Sequence, residues 1–429
     1  MNTARVRTVR RRMLAALAGV AFAAVALAGC GAQPGAAGPR FQLSANPSPV
    51  WRPVGIRIVS LPPGQQVTIH AALRPSGLWT SQAVYAVPAD GVVDLARDAP
   101  LEAPFTGADG MGLFWTMRSA TGEAPASDVT WGGSDVAWGG ASYSVDLQAS
   151  VGGRPVAETR VQRTGLSVAA PARAVFDDGI TGDYFQSTSS AEGVRPGIIV
   201  FDGTDPGEQT GVLTSATLAA LGFPTLDLST YGSAGQLDPL RSLPAERFLS
   251  ALSWLRSQPG VDDQRIFTFG TSRGAQLALW AAAAYPGTVY GAIAPGGTTG
   301  LICPSPVPSP AVTVDGAWVP CTTGTHDPAP AAVLDIERIP GPVVLGCAGR
   351  DEELANGCAW LDAAARKRPQ REGDAYLRAP DATHLFYLPP YTPLLLPKAP
   401  AAQPTERARE ALWADILTAL TAPSSVPGR

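Results

Sequence analysis

Alternating apolar and polar residues dominate the first part of the chain, over residues 47–164. Short runs of this kind, separated by turns such as 61–64 (Leu-Pro-Pro-Gly), are typical of β-strands with one buried face. The pattern predicts seven strands, at 54–59, 67–71, 82–87, 91–95, 112–118, 142–148 and 156–162. Many short strands with turns between them predict a β-sandwich of immunoglobulin type.

The pattern changes at Pro196, where continuous apolar runs begin to alternate with helical spacing. Residues 197–201 (Gly-Ile-Ile-Val-Phe) are typical of a parallel strand that is buried on both faces. Further strands are predicted at 225–228, 265–269 and 342–345, and helices at 214–221, 245–255, 275–284 and 405–420. Thr405 is a plausible cap of the last helix. This alternation predicts an α/β domain with a mainly parallel sheet.

Length and charge narrow the class of protein. A chain of 429 residues is too long to fold around one small hydrophobic core. We therefore expect two domains, a β-domain over 47–165 and an α/β domain over 190–424. The net charge is −4 and only 16% of residues are charged, which argues against nucleic-acid binding. No motif indicates a metal or a cofactor, and we expect neither.

The amino terminus predicts export. Arginines precede an uncharged run over 13–29, which is the order of a signal peptide. The run is short for a membrane span, which needs about 20 apolar residues. It ends in 27–30 (Leu-Ala-Gly-Cys), which resembles the lipobox of bacterial lipoproteins; an ordinary signal peptide is the alternative. We expect residues 1–29 to be removed, and Cys30 to be lipidated and to anchor the protein on the extracytoplasmic side of the cell membrane. Residues 30–46, rich in Gly, Pro and Ala, are expected to form a flexible tether.

Four cysteines follow Cys30, an even number that suggests two disulfides in an exported protein. Three pairings are possible. We expect Cys303–Cys321 and Cys347–Cys358, because each pair brackets a short segment that is typical of a loop. A metal site is disfavoured, since the chain has no C-x-x-C pair and no nearby group of histidines.

The most informative motif is 270–274 (Gly-Thr-Ser-Arg-Gly), which lies between a predicted strand and a predicted helix. In that context G-x-S-x-G indicates a nucleophile elbow, with Ser272 as the nucleophile at the carboxyl end of the sheet. The two glycines allow the sharp turn. Without the context, the motif would be a glycine-rich turn with an incidental serine.

A serine nucleophile needs a base, and the base needs a carboxylate that orients it. In α/β-hydrolases the chain order is serine, acid, histidine, and of His70, His326 and His384 only the last follows a strand that could carry the acid. Asp351 comes just after the predicted strand at 342–345, and Glu352 is its rival. The oxyanion hole is expected to use the backbone N–H of Arg273 and a second N–H from the 202–207 loop, from Gly203 or Thr204.

Several motifs together resemble the acyl-CoA thioesterase / bile acid-CoA:amino acid N-acyltransferase family. They span most of the chain and lie at 51–57, 61–65, 91–95, 107–117, 196–199, 255–261, 272–274, 336–345 and 384–391. The resemblance implies an immunoglobulin-like thioesterase domain followed by an α/β-hydrolase domain. Carried across residue by residue, it implies a triad of Ser272, Asp351 and His384, and its register favours Asp351 over Glu352.

These features predict a serine hydrolase that cleaves a small acyl ester or thioester. In the family that this chain resembles, the acyltransferase members use a cysteine nucleophile. The serine at position 272 therefore favours hydrolysis over acyl transfer. Two alternatives stay open. One is an acyltransferase, and the other is a non-catalytic envelope lipoprotein that binds a lipid or another ligand.

Overall fold

The computed structural model describes residues 38–73, 79–119, 142–177, 179–188, 193–203, 209–230, 242–304, 309–324, 327–391 and 401–423. The predicted signal peptide, Cys30 and His326 lie outside these ranges. The described residues belong to one compact unit that begins at Gly38.

The first part of the described chain forms two sheets, which are antiparallel except for one short parallel pairing. Its strands are β1 (Arg40–Leu43), β2 (Ser48–Pro49), β3 (Ile56–Val59), β4 (Gln66–Leu73), β5 (Trp79–Ala86), β6 (Val93–Asp94), β7 (Arg118–Ser119), β8 (Tyr143–Val151) and β9 (Arg154–Thr164). Three strands pair in the order β1-β3-β6, and six in the order β2-β9-β8-β4-β5-β7. Alternate residues of β3, β4 and β5 are buried, as the period of a strand requires. Both sheets contribute to one apolar core.

Two sequence predictions in this part were wrong. The strand predicted at 112–118 begins instead with a short helix, α1 (Gly112–Trp115), whose residues are all buried. Asp109 stabilises this turn, because its carboxylate accepts the N–H of Met111 at 2.9 Å and the indole N–H of Trp115 at 3.0 Å. The predicted tether extended to residue 46, but Arg40–Leu43 forms β1, which pairs with β3 and packs Phe41 and Leu43 against the core.

The second part is built on an eight-stranded sheet. Its strands are β10 (Ala172–Asp177), β11 (Ile180–Phe185), β12 (Arg195–Phe201), β13 (Thr225–Leu228), β15 (Val261–Gly270), β16 (Gly291–Pro295), β19 (Val343–Ala348) and β20 (Ala375–Ala379). The order is β10-β11-β13-β12-β15-β16-β19-β20, and only β11 runs antiparallel to both neighbours. This order and these directions are those of an α/β-hydrolase sheet, so the predicted α/β-hydrolase domain is confirmed.

Helices cover both faces of this sheet. They are α2 (Leu166–Ala169), α3 (Gln209–Ala220), α4 (Ala245–Arg256), α5 (Arg273–Ala284), α6 (Gly357–Lys367) and α7 (Ala402–Thr421). Short 3₁₀ turns lie at Pro330–Ala332, Ile336–Arg338 and His384–Tyr387, and the strands β14 (Leu243–Pro244), β17 (Val312–Val314) and β18 (Ala317–Trp318) form a separate small sheet. The sheet contributes apolar residues to two cores, one on each face.

Helix α7 starts earlier than predicted and links the two parts. Thr405 does not cap it, because Thr405 lies in the first turn and donates its hydroxyl to the carbonyl of Ala401 at 2.8 Å. From the same turn, Gln403 accepts the N–H of Thr106 at 2.9 Å and donates to the carbonyl of Thr106 at 2.7 Å.

Candidate active site

Ser272 occupies a sharp turn between β15 and α5. Its φ of 51° lies in the left-handed region, which non-glycine residues rarely adopt outside constrained sites. A Cβ at Gly270 would lie 2.1 Å from the carbonyl oxygen of Gly274, and a Cβ at Gly274 would lie 2.2 Å from the carbonyl oxygen of Phe201. Only glycine fits at both positions, so the G-x-S-x-G spacing fixes the sharp turn that holds the half-buried serine between them.

His384 lies next to Ser272 at the start of the last 3₁₀ turn. Its Nε2 is 3.0 Å from Oγ of Ser272, and its Nδ1 is 2.9 Å from Oδ2 of Asp351. The side chains of His384 and Asp351 are 8% and 2% exposed, which limits the competition from water for these bonds. The structure therefore brings together the three predicted side chains in the order serine, imidazole, carboxylate.

The two candidate acids contact different parts of His384. Asp351 follows β19 and faces the imidazole, while its Oδ1 accepts the N–H groups of Glu353 at 3.0 Å and Leu354 at 2.7 Å. Glu352 instead accepts the backbone N–H of His384 at 3.1 Å. Asp351 is thus placed to orient the ring, and Glu352 to hold the backbone that carries it.

One face of α7 holds the segment that carries the base. Thr405, Arg409 and Trp413 recur at four-residue spacing, which places them on the same side of a helix. The hydroxyl oxygen of Thr405 accepts the N–H of Thr383 at 3.1 Å. Arg409 and Trp413 donate to the carbonyl groups of Leu385 at 3.0 Å and Tyr387 at 3.1 Å. This role was not predicted from the sequence, although polar side chains at i, i+4 and i+8 on a buried helix face were a signal for it.

The two predicted oxyanion donors differ in the structure. Arg273 is the first residue of α5, where a backbone N–H has no acceptor inside the helix and can face a ligand. Gly203 donates its N–H to Oδ1 of Asp202 at 2.9 Å, and the same oxygen accepts the N–H of Gly211 at 2.9 Å. The Gly203 assignment is therefore corrected: its N–H is committed to a buried carboxylate that also binds the first turn of α3. Thr204 lies outside the described residues.

Both expected disulfides are present and lie beside the site. Cys347 in β19 is bonded to Cys358 in α6, with their Cα atoms 5.1 Å apart, so this bond closes the loop that contains Asp351. Cys303 is bonded to Cys321, with Cα atoms 5.2 Å apart. Ile302, the residue before Cys303, lines the cavity next to Ser272.

The described ranges hold neither a cluster of metal-binding side chains nor a membrane-spanning helix. Within them, no group of three or more His, Cys, Asp or Glu side chains could hold a metal ion. None of the helices that the structure describes has the length and apolar character to span a membrane.

These elements define an α/β-hydrolase domain with a nucleophile elbow, preceded by a β-rich region. A profile described as "Acyl-CoA thioester hydrolase/BAAT N-terminal region" matches residues 52–169 of that region. The chain is 28% identical to mouse acyl-coenzyme A amino acid N-acyltransferase 1 over 374 residues, which cover 82% of this chain and 88% of that one. It is 28% identical to rat acyl-coenzyme A thioesterase 1 over 269 residues, which cover 61% of this chain and 62% of that one. The chain is therefore a relative of the acyl-CoA thioesterase and amino acid N-acyltransferase family.

Solved structures also align with part of the chain, at low identity and low TM-score. A bacterial heroin esterase aligns with a TM-score of 0.40 and 15% identity, covering 58% of this chain and 85% of the esterase. A dienelactone hydrolase from Klebsiella pneumoniae aligns with a TM-score of 0.39 and 15% identity, covering 57% of this chain and 98% of the hydrolase.

Proposed function

We propose that this protein is a serine hydrolase that cleaves acyl esters or thioesters. The observation that carries the proposal is the contact of His384 with Oγ of Ser272 on one side and with Asp351 on the other, at 3.0 and 2.9 Å. A serine hydroxyl is a weak nucleophile at its ordinary pKa, and an adjacent base that is oriented by a carboxylate activates it. The relatives named as acyl-coenzyme A thioesterases support this reaction class.

The residues have separate roles in the proposed reaction. Oγ of Ser272 attacks the acyl carbonyl and passes its proton to Nε2 of His384. The backbone N–H of Arg273 stabilises the oxyanion, and the departing alcohol or thiol takes the proton from His384. A water molecule then gives a proton to His384 and attacks the acyl-enzyme, which releases the acid and restores Ser272. Asp351 keeps Nδ1 protonated and stabilises the imidazolium.

Hydrolysis is the favoured outcome because the acyl-enzyme on Ser272 would be an oxygen ester. An amine attacks a thioester more readily than an ester, and this preference supports water as the acceptor here. Other relatives are named as N-acyltransferases, so transfer to an amino acid is the second candidate. Release of free acid at a rate unaffected by added glycine or taurine would favour hydrolysis, and formation of an N-acyl amino acid would favour transfer.

The proposal also covers the amino-terminal part of the chain. We infer that Cys30 carries a lipid anchor and that the protein acts on the outer side of the cell membrane, as the 27–30 motif suggests. In that compartment an ester or thioester other than acyl-CoA is an equally suitable substrate. We also infer that the two sheets of the amino-terminal region form an immunoglobulin-like sandwich, because they share one core and the family profile lies there.

Labelling with a fluorophosphonate probe tests the proposal directly. The wild-type protein is expected to become covalently labelled at Ser272, whereas Ser272→Ala is expected to stay unlabelled while keeping its circular dichroism spectrum. A matched control is Ser257→Ala, which changes an exposed serine that bonds only locally at the end of α4. Absence of labelling in the wild type, together with no hydrolysis of p-nitrophenyl butyrate or butyryl-CoA, would favour a non-catalytic lipoprotein.

A further inference from the structure

A cavity of about 170 Å³ opens beside the nucleophile. Ser272 and His384 line it, and so do Arg273 and Gln276 from the first turn of α5. A substrate must place its carbonyl in this cavity to reach Oγ of Ser272. The polar groups on the cavity wall therefore indicate the chemistry that surrounds the scissile bond.

The side chain of Arg273 is the most unusual group in this wall. Its Nε and Nη2 atoms are shielded from solvent, and neither has a hydrogen-bond partner. No ion pair of Arg273 is found among the described residues, although Arg368 and Arg409, which are more deeply buried, have carboxylate partners. Arg273 as a whole is only half-buried, but its Nε and Nη2 groups have lost water without gaining an acceptor, which is costly. An anionic ligand in the cavity would supply the charge partner that the guanidinium lacks.

Gln276 adds a second donor to the same wall. This residue is 1% exposed, and its side-chain oxygen accepts the backbone N–H of Ile302 at 2.6 Å. The donor on Ile302 fixes the orientation of the amide, since only the oxygen can accept that bond. The NH₂ group of Gln276 is left as the part of the side chain that can donate into the cavity.

One group of the opposite charge lines the cavity. Glu353 is exposed, and its carboxylate is therefore solvated. The hydroxyl of Thr298, a further lining group, is used in a bond to the carbonyl of Gly300 at 2.8 Å. Donors thus predominate in the shielded part of the wall, and the one lining carboxylate lies where water screens it.

We propose that the substrate carries an anionic group, a carboxylate or a phosphate, close to its scissile carbonyl, and that the guanidinium of Arg273 binds this group. The inference rests on the hydrolase function proposed above and names its substrate class. Arg273 directly follows the nucleophile, so its guanidinium reaches no further than one side-chain length from the reacting carbonyl. The phosphates of coenzyme A are separated from its thioester by the whole pantetheine arm and do not meet this requirement. The anion therefore belongs to the acyl group or to a small alcohol.

Two pairs of substrates that differ only in charge test the inference. The first pair is the p-nitrophenyl monoester of adipic acid and its methyl ester, in which the acyl group carries the carboxylate. The second pair is 1-butyrylglycerol 3-phosphate and 1-butyrylglycerol, in which the alcohol carries the phosphate. Wild-type protein should favour the anionic member of one pair by about 10- to 100-fold in kcat/KM, the size of effect expected for a charge-assisted hydrogen bond. The pair that shows the preference identifies the source of the anion.

Substitutions assign the preference to Arg273. Arg273→Met should abolish the anionic-to-neutral ratio, and Arg273→Lys should keep part of it, because the positive charge remains. Glu353→Gln should change the ratio little, because water already screens this exposed carboxylate. The control is Arg160→Met, which changes an exposed arginine that pairs with Asp146 in the β-rich region and should leave the ratio unchanged. Equal rates on both members of both pairs, or a ratio that survives Arg273→Met, would overturn the inference while the hydrolase function stands.

A binding measurement separates this inference from the proposed function. If no ester is hydrolysed, the hydrolase proposal fails, but the anion site is still tested by calorimetry with monomethyl adipate and glycerol 3-phosphate. Binding of either compound to Ser272→Ala, lost in Ser272→Ala/Arg273→Met, would support the site. Equal binding by the two variants, or no binding by either, would reject it.

Discussion

Arg409 and Glu406 form a fully buried ion pair within α7, with Nη1 3.2 Å from Oε2 and side chains that are 0% and 1% exposed. Burial raises the pKa of Glu406 to about 7 and lowers that of Arg409 to about 10, while the attraction between the two charges opposes both shifts. Arg409 also bonds the carbonyl of Leu385, the residue after His384. The pair therefore links the closing helix to the segment that carries the base.

From this contact we predict that Arg409 is a positioning residue for His384. Arg409→Met should lower kcat by roughly 10- to 100-fold per folded site, because a small displacement of a catalytic group has a cost of that order. The acid limb of the pH profile of kcat/KM should also move, since that limb reports the ionisation of the catalytic base in the enzyme without substrate. Arg409→Lys should restore part of kcat. Active-site titration with a fluorophosphonate gives the concentration of folded sites, and the measured rate is divided by that concentration.

Two further variants separate positioning from stability. Removing one partner of a buried ion pair typically costs 3–5 kcal/mol, so Arg409→Met could unfold the protein. The double variant Glu406→Gln/Arg409→Met leaves no unpaired charge and should fold, but it should keep the loss in kcat. Arg407→Met changes the adjacent, partly exposed arginine of α7 and should leave kcat unchanged. Normal kcat and an unmoved pH profile in the double variant would exclude the positioning role.

The second prediction separates the two acids next to His384. Asp351→Asn should lower kcat by up to about 10⁴-fold with little change in fold, because an amide at this position favours the wrong tautomer of the imidazole. Glu352→Gln should have a small effect, since a glutamine oxygen can still accept the backbone N–H of His384. Rate constants on p-nitrophenyl butyrate measure both variants. A large loss in Glu352→Gln beside a near-normal Asp351→Asn would transfer the orienting role to Glu352.

Two residues of the site could be predicted from the sequence because each has a local signal. Ser272 lies between two glycines that no other residue can replace, and Asp351 follows a continuous apolar strand after a turn of two residues. His384 has no such local signal and was found from the chain order and from the family resemblance. The contacts of Thr405, Arg409 and Trp413 with residues 383–387 join segments that are distant in sequence, so the polar spacing along α7 does not show which segment these side chains contact.

The errors have equally physical causes. Residues 112–115 at the start of this predicted strand are apolar without a break, and such a short run does not distinguish a strand from a buried helical turn. The side chain of Asp109, which selects the helical turn, lies before the run. Gly203 was assigned from the position of its loop, but the direction of a backbone N–H depends on the neighbouring Asp202, which captures it. Backbone direction in a loop is the feature that sequence patterns report least well.

The third prediction concerns Cys30, which lies outside the described residues. Cys30→Ser should move the protein from the membrane fraction to the soluble fraction, or leave it as an unprocessed precursor, because the acyl chains attach to this cysteine. Mass spectrometry of the amino-terminal peptide measures the modification, and fractionation measures the location. The serine variant should keep its fluorophosphonate labelling at Ser272. Membrane partition that is unchanged in Cys30→Ser would mean that another segment anchors the protein.

The last prediction concerns the two disulfides, which lie next to different parts of the site. Cys347→Ala/Cys358→Ala should lower the free energy of unfolding by about 2–4 kcal/mol, because the unfolded chain regains the freedom of a short loop. It should also lower kcat, since the loop between these cysteines carries Asp351. Cys303→Ala/Cys321→Ala should cost similar stability but act mainly on KM, because the neighbouring Ile302 contacts the substrate cavity and not the base. Denaturant titration and steady-state kinetics on one ester separate these effects. If both pairs change kcat and KM alike, the disulfides stabilise the fold as a whole and do not position individual groups.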